Sequence, residues 1–99
     1  MRITMLMRWD GVTLDQYEEV RGIVDWEGNI PEGAVLHISA HDGKSLRVTD
    51  VWESENDLNN FVNNRLMPAT SHLGITTQPQ VEVYPLHALF TPAFEEVEA

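Results

Sequence analysis

Three residues of this chain have the types needed for acid–base work on a small molecule: His37, Asp50 and Arg65. An imidazole oriented by a carboxylate can take a proton from a phenol near neutral pH. A guanidinium beside it can hold the phenolate, or a reduced-oxygen anion, that results. The same trio also fits an architectural arrangement, in which Arg65 and Asp50 form a buried ion pair with His37 hydrogen-bonded alongside. Met5, Met7, Tyr17, Trp52 and Phe61 have the apolar and aromatic character expected of the wall of a substrate cavity.

Other chemistries find less support. His37 and His41 lie four apart, but along a strand that spacing is ~13 Å, too far to share one ion. His72 and His87 sit in other segments and no helical HExxH occurs, so no metal site is expected. The absence of cysteine removes disulfides, thiolate ligands and a Cys nucleophile. No GxGxxG or P-loop pattern supports nucleotide binding. Trp9, Trp26 and Trp52 read as core and interface filler.

Several strands and helices must hold the trio in place. Arg2 to Trp9 alternates as a half-buried strand, with Ile3, Met5, Met7 and Trp9 on one face. Thr13-Leu14-Asp15-Gln16 is a capping box, with Val12 and Tyr17 as its hydrophobic staple. The helix that follows puts Leu14, Tyr17, Val20 and Val24 on one side, and Gly28, Asn29 and Pro31 stop it. Val35 to His41 and Leu46 to Trp52 form a hairpin about Asp42-Gly43. If those two residues are the turn, His37 lies opposite Val48 and diagonal to Asp50. One face then carries Val35, His37, Ser39, Leu46, Val48, Asp50 and Trp52, and a one-residue slip would exchange the faces.

Ser54 caps a second helix whose stripe is Leu58, Phe61, Val62 and Leu66. Counting about 100° per residue puts Arg65 in that stripe. Pro68 breaks or kinks the helix, leaving a short piece that runs to His72 and ends at Gly74. Val81 to Phe90 is the last strand, an edge or a bulged strand because Pro85 cannot donate to a ladder.

This β-α-β-β-α-β order is α+β and ferredoxin-like: a four-stranded antiparallel sheet with two helices on one face. The opposite face is left bare, yet Leu6, Leu36, Ile38, Val51, Leu86 and Phe90 give it a large apolar share. A patch of that size marks a partner surface, so the chain is expected to pair with itself, sheet to sheet.

Ninety-nine residues suffice for one domain, expected over 1–91, with an acidic tail over 92–99. Hydrophobic residues make up 42% and charged residues 22%, an ordinary globular balance. A net charge of −10 argues against nucleic-acid or anionic-membrane partners. No signal peptide and no membrane span is expected, and the cysteine-free composition fits the cytoplasm.

Four stretches carry a wider resemblance: Gly11 to Tyr17, Leu46 to Ser54, Arg65-Leu66-Met67-Pro68-Ala69 and Val83-Tyr84-Pro85-Leu86-His87. Over roughly Met1 to Leu89 the chain resembles small dimeric α+β barrel proteins related to the antibiotic-biosynthesis monooxygenase domain. The resemblance implies a homodimer with a pocket in each subunit between sheet and helices. It also implies oxidation of an aromatic or phenolic metabolite without flavin, haem or metal. The haem-degrading relatives place an Asn on the first strand and a His on the second helix. Here the first strand has no Asn, and His72 follows the Pro68 break. The alternative is a non-catalytic dimeric module that binds a ligand or serves in assembly.

Overall fold

A computed structural model describes residues 1–94; the end of the expected acidic tail, residues 95–99, lies outside the described residues. The elements are β1 (Ile3–Asp10), α1 (Leu14–Val24), β2 (Ala34–His41), β3 (Ser45–Trp52), α2 (Glu55–Phe61), a π-helical turn (Val62–Leu66), α3 (Met67–His72) and β4 (Gln80–Pro85). The strands form one antiparallel sheet in the order β2-β3-β1-β4, the ferredoxin-like arrangement. Among the described residues no helix is long and apolar enough to cross a membrane.

The helices cover the face that carries Ile3, Met5 and Trp9 of β1 and Leu46, Val48 and Trp52 of β3, all buried. Leu58, with Phe61, Val62 and Leu66 around it, packs onto them from the second helical segment. A smaller cluster of Val20, Val24 and Ala69 joins α1 to α3. The expected capping box is complete: Thr13 accepts from the Gln16 amide at 3.1 Å, and the Gln16 side chain accepts from the Thr13 amide at 2.9 Å. Leu14 departs from the expected inward face and is 57% exposed. The helix stops at Val24, ahead of Gly28, because Asp25 takes a left-handed conformation (φ 54°) and its amide bonds back to the Arg21 carbonyl.

Two strand expectations need correction. His37 pairs directly with Asp50 and His41 with Leu46, a register two residues away from that of an Asp42-Gly43 turn. The reversal instead spans Asp42 to Ser45, because the Asp42 carboxylate accepts from the amides of both Lys44 and Ser45. A two-residue shift leaves the faces as assigned from Leu36 to His41; Val35 falls at an irregularity of the ladder, where Ala34 pairs with Trp52 and Leu36 with Val51. The last strand ends at Pro85 and does not continue to Phe90. Its partner β1 begins at Ile3, opposite Pro85, so only one further hydrogen bond forms, from the Leu86 amide to the Arg2 carbonyl.

The Pro68 break takes a definite form. Proline offers no N–H to the helical ladder, and the preceding turn widens so that the Met67 amide bonds the Val62 carbonyl, five residues back. The helical path then runs through to His72, and Gly74 follows with positive φ.

Candidate functional site

Between the sheet and the helices lies a cavity of about 490 Å³ with largely apolar walls. All five residues expected to line it do so: Met5 and Met7 from β1, Tyr17 from α1, Trp52 from β3 and Phe61 from α2. Its polar lining residues include the paired His37 and Asp50, with Asn59 and Thr70 besides. Among the described residues no lysine or arginine lines it. A shallower, more polar recess of about 290 Å³ shares Tyr17, Trp26 and His37 with it, so these three rings stand between the two spaces.

His37 and Asp50 face each other because their strands pair directly at that position. The Asp50 side chain is only 8% exposed and that of His37 33%. His37 Nδ1 lies 2.7 Å from Asp50 Oδ1, and Trp52 Nε1 donates to Asp50 Oδ2 at 3.1 Å. Each carboxylate oxygen thus has its own donor, which is what a buried carboxylate needs. A carboxylate can only accept, so the Nδ1 position carries hydrogen and Nε2 of the neutral ring is left as an acceptor. The Tyr17 hydroxyl fills that position, donating to Nε2 at 2.9 Å. The Tyr17 and His37 rings lie nearly parallel, their planes within 5° and their centroids 6.2 Å apart. The Trp26 ring leans on the imidazole at 5.0 Å. Burial pushes the Tyr17 phenol above its ordinary value, against the smaller opposing pull of the Ser39 hydroxyl and the Arg21 guanidinium.

Arg65 is placed elsewhere. Its guanidinium donates to the Val24 carbonyl at 2.8 Å and stands 5.7 Å from the centre of the Phe61 ring. It therefore closes the C-terminus of α1, where a cation offsets unpaired carbonyls and the helix dipole. It is not among the cavity's lining residues and forms no ion pair with Asp50. The structure thus brings together two members of the expected trio, with Tyr17 as the third. Sequence reading placed Tyr17 in the wall and missed its bond to His37, because nothing in α1 states which strand residue its phenol will meet.

The remaining histidines have separate surroundings. His41 donates from Nε2 to the Val12 carbonyl at 2.8 Å and accepts the Gly43 amide at Nδ1. Among the described residues no three His, Asp or Glu side chains gather closely enough to hold a metal ion. Trp9 and Trp52 are buried core residues, and Trp9 Nε1 donates to the Thr77 carbonyl.

No protein-family model and no curated protein sequence matches the chain. Solved structures do. SnoaB, a cofactor-independent oxygenase from Streptomyces nogalater, superposes with a TM-score of 0.67 at 14% identity, covering 89% of this chain and 95% of that one. A protein of unknown function from Nitrosomonas europaea gives 0.63 at 16% identity, covering 92% and 94%. A protein provisionally described as an antibiotic biosynthesis monooxygenase from Chloroflexus aurantiacus gives 0.60 at 13% identity, covering 91% and 98%. Over nearly its whole described length, the chain has the α+β fold of monooxygenases of the antibiotic-biosynthesis type and of uncharacterised proteins built like them.

Proposed function

We propose that the chain is the subunit of a homodimeric, monooxygenase-like protein that oxidises an aromatic or phenolic metabolite without a cofactor, in the cytoplasm. The observation that carries this reading is the His37–Asp50 pair in the wall of a largely apolar 490 Å³ cavity. A planar phenol would place its ring against Trp52, Phe61 and the methionines and its hydroxyl toward the His37–Asp50 pair. The imidazole is the base on which the released proton charge comes to rest, and Asp50 stabilises the imidazolium that forms. The phenolate is a far better electron donor than the phenol, and dioxygen is the oxidant. In balance, a phenol with a ring C–H and one O2 gives a quinone and one water. With Arg65 at the end of α1, the charge facing the phenolate is the imidazolium itself.

Oxygen uptake with a panel of naphthols and anthrones tests the reading. Uptake with release of quinone is expected, and His37→Ala should lower its rate about 10²–10⁴-fold while keeping the fold by circular dichroism. Tight binding with no uptake across the panel would favour the second reading, a non-catalytic ligand-binding module. The closed hydrogen-bond chain from Tyr17 to Trp52, which satisfies every member without a substrate, is the observation on that side.

A further inference from the structure

We propose that Tyr17 is the group that meets the substrate hydroxyl, receiving its proton while passing its own to His37; this rests on the phenol-oxidising reading above. The imidazole nitrogen that would act as base is already occupied by the Tyr17 hydroxyl at 2.9 Å, and both rings line the cavity. A substrate could reach Nε2 directly only by breaking that bond and displacing a phenol that lies nearly parallel to the imidazole. The phenol oxygen itself has lone pairs to offer a second donor.

The transfer balances without any redox change. The substrate O–H bond breaks as a new O–H bond forms at Tyr17 Oη. The old Tyr17 O–H bond breaks as an N–H bond forms at His37 Nε2. The products are a phenolate, a neutral tyrosine and an imidazolium paired with Asp50. Tyr17 ends as it began, which suits a phenol that burial keeps protonated. Asp50 in turn is fixed by Trp52 Nε1, so Trp52 is a positioning residue as well as part of the wall. The charged groups around the pair are Glu18 and Arg21 of α1, Glu27 beyond it and Asp50 of β3. All four are unchanged when only the Tyr17 hydroxyl is removed.

The test is the ionisation of a bound nitronaphthol, followed by its absorbance across pH in the full chain under nitrogen. The wild type is expected to lower the probe's pKa by about one unit, a tenfold rise in the ionised fraction below it. Tyr17→Phe should bind the probe yet lose that shift, and His37→Gln should lose it too. Should the Phe variant unfold, Tyr17→Met keeps an apolar wall and answers the same question. If Tyr17→Phe keeps the full shift while His37→Gln abolishes it, the imidazole takes the proton directly and Tyr17 only fills space. A wild type that binds the probe with no shift overturns the relay as well. Oxygen uptake by that same wild type would leave the monooxygenase reading standing, so the two failures are told apart.

Discussion

At His37 two hydrogen bonds fix the tautomer, the ring plane and the side on which a proton can arrive. His41, four residues along the same strand, is held in the opposite sense: Nε2 donates to the Val12 carbonyl and Nδ1 accepts from Gly43. One imidazole thus turns an accepting nitrogen to a cavity-lining phenol, and the other ties the end of β2 to the chain before α1. Arg65 shows the same dependence on what its donors find. It meets the Val24 carbonyl, the Asp25 carbonyl at 3.5 Å and the Phe61 ring, so its charge is used to close a helix. Arg65→Ala should therefore cost about 1–2 kcal/mol in urea-induced unfolding, through a lost charge-assisted bond and an uncompensated helix end. If stability stays level while nitronaphthol binding collapses, the guanidinium serves the ligand after all. The π-helical turn explains why periodicity misled here. Counting 100° per residue assumes a regular helix, and the wider turn at Val62–Leu66 changes the angle at Arg65 itself. His37 and Asp50 were legible because strand pairing is a short-range rule with few solutions; a phenol arriving from α1 obeys no such rule.

The β2–β3 hairpin shows how one side chain sets the register of an element. The Asp42 carboxylate accepts from the Lys44 amide at 2.9 Å, the Ser45 amide at 2.7 Å and Arg47 Nε at 3.2 Å. Those amide bonds, with Arg47 adding a lesser pull, hold the carboxyl down at about 2, below its ordinary 3.8. A group whose folded value is depressed adds stability above its unfolded value and loses it as pH falls through the folded one. The gap in unfolding midpoint between wild type and Asp42→Asn should thus be steady above pH 4 and close between about 4 and 2. A gap that persists unchanged into that acid window would mean the charge contributes nothing. Because Asp42 moves the pairing by two residues, His37 meets Asp50 face to face and the site gains its short bond. Alternation and turn chemistry made the strands, the caps and the chain order readable. The end of β4 was less so, since apolar residues from Leu86 to Phe90 read as strand although β1 offers nothing there to pair with.

At the scale of the whole molecule, the open face of the sheet is the unresolved energetic cost. Leu6, Ile38 and Tyr84 stand on it 39%, 51% and 49% exposed, and Phe90, beyond the last strand, is 87% exposed. Arg8 and Arg47 sit opposite each other on the same face, each neutralised within its own chain, by Asp10 at 3.2 Å and Asp42 at 3.1 Å. The result is a strip of apolar side chains interspersed with Thr4, Thr49 and Glu82 and bordered by ion pairs, a surface able to associate. A second copy laid on it would bury the strip and leave the helix-side cavity open to a ligand. Association has an opponent, because each copy carries −10 and the two repel. Salt screens that repulsion and leaves apolar burial largely intact. Sedimentation equilibrium should therefore show a dimer that tightens from low to moderate ionic strength, the reverse of an interface held by ion pairs. Ile38→Asp, which sets a carboxylate within the strip, should give a folded monomer at the same concentrations. A wild type that stays monomeric at every salt level, sedimenting like the Asp variant, would leave the open face without a second copy to cover it.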